Sequence, residues 1–350
     1  MSAVIGAPAG IGRPPRPLKR IAYGLLSAAL AAVLLYYSLR GVEWARVWTT
    51  ITHARWQYLV AACLTTCCAF FLRSFRWRIL LNTDVHFDVL TVFVATMAGY
   101  LGNAFLPARA GEFVRTYIIS SRSSLSKTYV LTTALSERMV DAIALVLASS
   151  VVLLGVNPKP AWLGDVSRTT ALIAGVGLLT IAIVPHTGDL VERLLRRIPM
   201  PAGLRDRLLE LAAQILLGLR TFHSPGRLAG FAFWTVVVWS LDCVTVMLGA
   251  HALGLDLPFR VALLLLTGLG LGSALPSTPG YVGIYQFVTV SVLTPFGVSR
   301  DAALAYSFVS QAMGYVVVLI LGLPALYRVK DWRQAIKGPR GDRRLTCVAD

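Results

Sequence analysis

Long apolar runs separated by short basic segments dominate the chain. Six runs are unbroken, at about 21–39, 57–73, 128–154, 169–185, 228–250 and 302–326. Each is long enough, at about 17 residues or more, to cross a bilayer as a helix. Two further apolar regions, about 89–120 and 260–296, are interrupted by the same short pattern. Leu106-Pro107-Ala-Arg-Ala-Gly111 breaks the first and Leu275-Pro276-Ser-Thr-Pro279-Gly280 breaks the second. Both fit Leu-Pro-x-x-x-Gly, and both follow a small, Gly-rich stretch (Gly99 to Phe105; Gly268 to Ala274). Proline and glycine this close together end a helix, and the freed backbone groups are costly in hydrocarbon unless they line a cavity or lie inside protein. The pattern predicts two hairpins that enter the membrane and return on the same side. Pro107, Gly111, Pro276, Pro279, Gly280 and Gly283 shape the breaks.

Charge fixes the layout. With the N-terminus inside, segments 1–20, 73–88, 121–127, 186–227 and 327–350 hold 23 of the 33 Lys and Arg, and the outside segments hold 7. This is the asymmetry expected of cytoplasmic and outer loops. Reading either hairpin as a full crossing would expel a basic segment. Three full spans separate the hairpins, so they enter from opposite sides, as in inverted-repeat transporters. The predicted fold is an all-α polytopic membrane bundle of about six full spans plus two broken re-entrant hairpins. A basic N-terminus (1–20), a transmembrane domain (21–326) and a basic, disordered tail (327–350) make up the chain. Within the domain, 186–227 repeats Leu and Ile at three- and four-residue steps among arginines. That suits a helix lying on the anionic cytoplasmic leaflet or one packed against the bundle.

Composition agrees: 56% of residues are hydrophobic, 14% are charged and the mean hydropathy is +0.67. A soluble domain carries about 25% charged residues. The net charge of +16 belongs to topology and anionic lipid rather than to nucleic acid, because the cations flank apolar spans. The first span, preceded by Arg13, Arg16, Lys19 and Arg20, is longer than a signal-peptide core and reads as an uncleaved helix. Of the five cysteines, Cys63, Cys67, Cys68 and Cys243 lie in apolar runs and Cys347 in the tail. They form no C-x-x-C pair and read as reduced thiols. No metal, cofactor or ATP-binding motif is present, so any transport would be passive or driven by an ion gradient.

Seven ionisable residues sit in or beside apolar regions: Arg109, Glu112, Arg115, Glu137, Arg138, Asp141 and Asp242. Each is expensive there unless paired or wet. Glu112 and Arg115 are three apart and can meet on one helix face; Glu137 and Asp141 are four apart and share another. Two carboxylates on one face need a cation, and Arg109 or Arg115 is the expected supplier. The cluster either pins the first hairpin by internal pairing or forms a polar cavity for an anionic headgroup, which arginine binds bidentately. Unpaired backbone amides at the half-helix starts after Pro107 and Pro276 would add partial positive charge. Asp242 reads as a pairing residue within the bundle, with a proton relay as the alternative.

Asn103-Ala-Phe-Leu-Pro-Ala-Arg-Ala-Gly-Glu-Phe-Val-Arg115, then Glu137-Arg138-x-x-Asp141, then Pro276-Ser-Thr-Pro-Gly-Tyr-Val-Gly283 resembles the transmembrane region of lysylphosphatidylglycerol synthases. That region also recurs in stand-alone flippase-like proteins, some associated with hopanoid biosynthesis. The resemblance covers about 20–326. It implies lipid translocation, or a membrane platform for lipid or lipid-linked sugar chemistry, in a bacterial inner membrane with both termini cytoplasmic. The soluble aminoacyl-transfer domain of the synthases has no counterpart up to Asp350, so synthase activity is not expected. The family often has a Glu shortly after the second motif, where this chain has Tyr285-Gln286. The expected role is non-enzymatic binding or flipping of an amphiphile with an anionic or zwitterionic headgroup, with Asn103, Arg109, Glu112, Arg115, Glu137, Arg138 and Asp141 as site residues. The alternative is a scaffold for envelope-lipid enzymes.

Overall fold

The structure, a computed structural model, describes residues 17–81, 86–106, 110–123, 125–154, 224–273 and 279–337, with isolated positions between 155 and 223. Every regular element among the described residues is helical. Pro107, Arg109 and Pro276, most of the expected span 169–185 and most of the amphipathic segment 186–227 lie outside this set.

The helices are α1 (Pro17–Leu39), α2 (Trp44–Thr52), α3 (Trp56–Leu81), α4 (Val89–Phe105), α5 (Gly111–Ser120), α6 (Lys127–Leu154), α7 (Pro225–Ala252), α8 (Phe259–Gly272), α9 (Ile284–Leu293) and α10 (Arg300–Lys337). A 3₁₀ turn at Pro279–Tyr281 precedes α9. Three of these, α3, α7 and Arg300–Val329 of α10, are long and apolar enough to cross a membrane. At 28 residues α6 has the length as well, but it carries Glu137, Arg138 and Asp141. The basic tail departs from expectation, because α10 continues as helix to Lys337.

The two interrupted regions are helical hairpins. Their arms have 17 and 10 residues (α4, α5) and 14 and 10 residues (α8, α9). At about 1.5 Å per residue no arm reaches the roughly 30 Å of a bilayer core. Asp88 starts α4 by accepting the Leu90 amide at 3.2 Å, which occupies one of the unpaired donors of a helix N-terminus. The arms of the first hairpin cross at glycine. A Cβ added to Gly111 would lie 1.9 Å from the Gly99 carbonyl oxygen, so this crossing admits no side chain.

Each half of the chain follows one plan: long helix, hairpin arm, shorter arm, long helix, first as α3–α6 and again as α7–α10. The contacts between the halves obey a two-fold. The long helices α3 and α7 pack against each other, α6 packs on α8, and α10 packs on α4. All three pairs run antiparallel. Along α3 and α7, Tyr58 meets His251, Thr65 meets Thr245 and Arg76 meets Thr235. Leu145 and Ser149 of α6 meet Gly270 and Thr267 of α8. Met97 and Leu101 of α4 meet Gly322 of α10. Counterpart helices therefore point in opposite directions, which is the inverted repeat expected from the sequence.

The same pairings sort the connections to two ends of the bundle. The α3–α4 and α5–α6 turns and the start of α7 share one end, where Ile79 faces Gly230. The end of α1, the short α2 and the α7–α8 and α9–α10 turns share the other. There Arg55 N donates to Ala252 O, Glu43 N to Asp301 and Arg300 to Tyr37 O. The end of α6 and the start of α7 lie at opposite ends of the bundle.

Candidate functional site

Four helices bring charge into the interior of the first half. Arg73 and Arg76 come from α3, Glu112 and Arg115 from α5, Glu137, Arg138 and Asp141 from α6, and Asp242 from α7. Arg76 is the hub. It donates to Asp141 at 2.6 and 2.8 Å, to Glu137 at 2.9 Å and to the Thr235 hydroxyl at 3.1 Å. Arg115 lies 2.5 Å from Glu112 and donates to Glu137 at 3.1 Å and to the Ala134 carbonyl at 3.2 Å. Arg73 pairs with Asp242. Trp239 Nε1 donates to Asp141 at 3.1 Å. Each guanidinium also lies over an aromatic ring: Arg73 on Trp239, Arg76 on Phe231, Arg115 on Trp77 and Arg138 on Tyr100, at 4.5 to 5.6 Å. Cation–π contacts of this kind add attraction that needs no water.

Among the described residues the cluster holds four arginines and four carboxylates and is electrically balanced. The spacing arguments hold: Glu112 meets Arg115, and Glu137 and Asp141 share one cation. The supplier of that cation differs from expectation. Arg115 reaches only Glu137, whereas Arg76 holds both carboxylates. Arg73 and Arg76 fall in what the sequence presents as a cytoplasmic loop beginning at 73, yet α3 continues to Leu81 and both side chains are buried. Burying two arginines in an apolar helix is affordable only beside carboxylates, and those lie 61 and more residues away in the chain. The spacing of Arg73, Arg76 and Trp77 on one helical face is the signal that marks them.

Arg138 differs from its neighbours. Its side chain is 27% exposed, against 2% for Arg115 and 0% for Arg76. Its ion pairs are the longest, 3.4 Å to Glu112 and 3.9 Å to Asp141, and it donates to the Tyr100 hydroxyl at 3.2 Å.

The backbone breaks are closed differently from expectation. Asn103 Oδ1 accepts the Gly111 amide at 2.9 Å, and Gln286 Oε1 accepts the Gly283 amide at 2.8 Å. These first amides of the two half-helices are capped by side chains, and Asn103 serves as a cap. At the second break Gly280 has φ +71°, and a Cβ there would meet the Tyr315 hydroxyl at 1.8 Å. Its carbonyl accepts from Tyr315 and from Gln311, both at 2.7 Å. Gln286 donates to Gln311 at 2.7 Å. Where the first hairpin is tied by charge, the second is tied by neutral amides and a phenol. The Pro279–Tyr281 turn also packs on α4, which sets the tip of the second hairpin against the first.

An inverted pair of helical hairpins with a buried, balanced charge cluster defines a polytopic membrane protein. The chain belongs to the family of the lysylphosphatidylglycerol synthase TM region, whose profile matches residues 24–322. It is 25% identical over 355 residues to the glycosyltransferase AglD of Haloferax volcanii, an alignment covering 89% of this chain and 55% of that protein. It is 22% identical over 275 residues to a UPF0104 membrane protein of Methanothermobacter thermautotrophicus, covering 73% and 78% of the two chains. The chain thus spans about half the length of the first relative and most of the second.

Proposed function

We propose that the protein binds, and carries between leaflets, an amphiphile with a phosphate-type anionic or zwitterionic headgroup, and that the headgroup docks at Arg138. The observation that carries this reading is the contrast within the cluster. Arg73, Arg76 and Arg115 are sealed and held by carboxylates, while Arg138 is partly open and loosely paired. A phosphate reaching Arg138 replaces a 3.9 Å contact to Asp141 with bidentate hydrogen bonds, so binding costs the network little. In this reading Arg109, which the sequence places in the first break, is the second cation. Arg115, Glu137 and Asp141 position Arg138 and Glu112 rather than touch the headgroup. The opposed hairpins supply the two half-paths that alternating access requires. The site lies in an inner membrane with both termini cytoplasmic.

A second reading, a scaffold for lipid-linked sugar transfer, draws on the relative named a glycosyltransferase. The two readings separate in reconstitution. Purification in native-lipid nanodiscs with mass spectrometry identifies the co-purifying amphiphile. A dithionite-quench assay in proteoliposomes then shows protein-dependent movement of that lipid, lost in Arg138→Gln. Unchanged binding and movement in that variant would remove the headgroup assignment; no movement of any co-purifying lipid would favour the scaffold.

A further inference from the structure

The charge cluster is balanced in charge but not in hydrogen bonds. Four guanidinium groups bring about 20 N–H donors, while four carboxylates offer about 16 acceptor sites. The surplus shows in particular atoms. Nε of Arg73 and Nε of Arg76 are buried without a hydrogen-bond acceptor among the described residues. Tyr100, at the open edge of the cluster, adds a further donor. Its oxygen accepts from Arg138 at 3.2 Å, and among the described residues no acceptor faces its own hydrogen. The phenol is held in place, because its ring lies 5.0 Å from that of Phe70 and 5.6 Å from the Arg138 guanidinium. Groups that could receive a cation are, by contrast, already taken. Each of the four carboxylates holds at least one guanidinium. The aromatic faces beside them, the other seats for an ammonium, each carry a guanidinium as well.

We infer that the Arg138 site selects anionic phosphate headgroups against zwitterionic ones and that Tyr100 is a headgroup ligand, an inference that rests on the preceding reading and narrows it. The Tyr100 O–H donates to a phosphate oxygen held by Arg138. A phosphodiester is an acceptor only, so it takes up donors that the carboxylates leave over, and hydrogen bonds to a charged acceptor are the strong ones. Ethanolamine or choline on the same phosphate brings a cation that finds no unoccupied carboxylate and meets the charge of Arg138. Like charge without a compensating partner is how a site rejects a ligand. Selectivity here comes from the arginines having filled the cation seats, and affinity from the donors they leave unmatched.

Native mass spectrometry of the delipidated full chain, titrated with lipids of identical acyl chains, tests this directly. The probes are phosphatidylglycerol and phosphatidylmethanol, both anionic, and phosphatidylethanolamine and phosphatidylcholine, both zwitterionic. The anionic pair should bind about tenfold or more tighter, because an uncompensated like-charge contact is worth at least that factor. Tyr100→Phe keeps the ring and removes one hydrogen bond to a charged group. It should weaken the anionic pair about tenfold and leave the zwitterionic pair unchanged. Arg138→Gln should bring all four lipids to one weak affinity. Monodisperse elution checks that each variant is folded, and the ranking of lipids on the unaltered protein needs no variant. Equal affinities that all fall in Arg138→Gln would overturn the selectivity and leave the headgroup site standing. Affinities indifferent to Arg138→Gln would overturn both. Tight binding of phosphatidylglycerol without phosphatidylmethanol would mean that the glycerol is read rather than the charge, and would overturn the inference. A loss in Tyr100→Phe shared by all four lipids would make Tyr100 a support for Arg138 and overturn its assignment as a ligand.

Discussion

Arg76→Met removes the hub of the charge cluster while keeping most of the side-chain volume. Four hydrogen bonds disappear, two to Asp141, one to Glu137 and one to Thr235. Glu137 keeps Arg115, but Asp141 is left with the Trp239 indole and an Arg138 contact of 3.9 Å. Removing one partner of a buried ion pair costs about 3–5 kcal/mol, because the remaining charge stays desolvated. Membrane helices moderate such losses, since the unfolded state in lipid also finds partners, so about 3 kcal/mol is the expected destabilisation. The double variant Arg76→Met/Asp141→Leu removes the orphaned carboxylate with its cation and should recover roughly half of that, a coupling on the order of 1.5 kcal/mol. Reactivity of the buried Cys243 thiol toward a fluorogenic maleimide during heating or detergent titration reports unfolding, in a background where Cys63, Cys67, Cys68 and Cys347 are replaced by Ala. A single variant costing less than about 1 kcal/mol, or a double variant as unstable as the sum of the two singles, would refute the claim that Arg76 holds the cluster by charge.

Other outcomes follow from the same geometry. Arg138→Gln, at an exposed edge with long ion pairs, should cost less than about 1 kcal/mol of stability in the same thiol assay while losing amphiphile binding; equal loss of both would make Arg138 a structural residue. Gly111→Ala drives a methyl group into the Gly99 carbonyl and should lower stability by about 3 kcal/mol or more, read as loss of monodisperse protein in size-exclusion chromatography; a well-behaved variant would show that the first hairpin is not closed at this crossing. Gln286→Leu leaves the Gly283 amide and Gln311 without their partner and should cost about 1–3 kcal/mol, with Gln286→Glu restoring the cap; equal stability of Leu and wild type would remove the cap from the account of the second break. Cysteine placed at Ser121 should be labelled only from the cytoplasm and at Glu43 only from the opposite side, on a background free of other cysteines; labelling of both from one side would contradict the arrangement of the bundle ends.

Much of this architecture is a consequence of the one-dimensional sequence. Apolar run length is set by bilayer thickness, and the cost of an unpaired backbone group in hydrocarbon gives Pro-x-x-x-Gly a single reading as a broken helix. The bias of arginine and lysine then orients the runs, so the hairpins and their opposed directions are legible before any coordinate. Spacing along one helix likewise identifies Glu112 with Arg115 and Glu137 with Asp141, because partners three and four apart share a face. Tertiary structure decided what crosses between helices. Arg76 could not be assigned to Glu137 and Asp141 from the sequence, because a basic helix end at 73–81 and a basic loop look alike in composition and only packing brings α3 against α6. The capping of Gly111 by Asn103 and of Gly283 by Gln286 and the looseness of Arg138 are three-dimensional for the same reason. Each depends on how far a side chain stands from atoms on another turn or another helix, and periodicity carries no record of that distance.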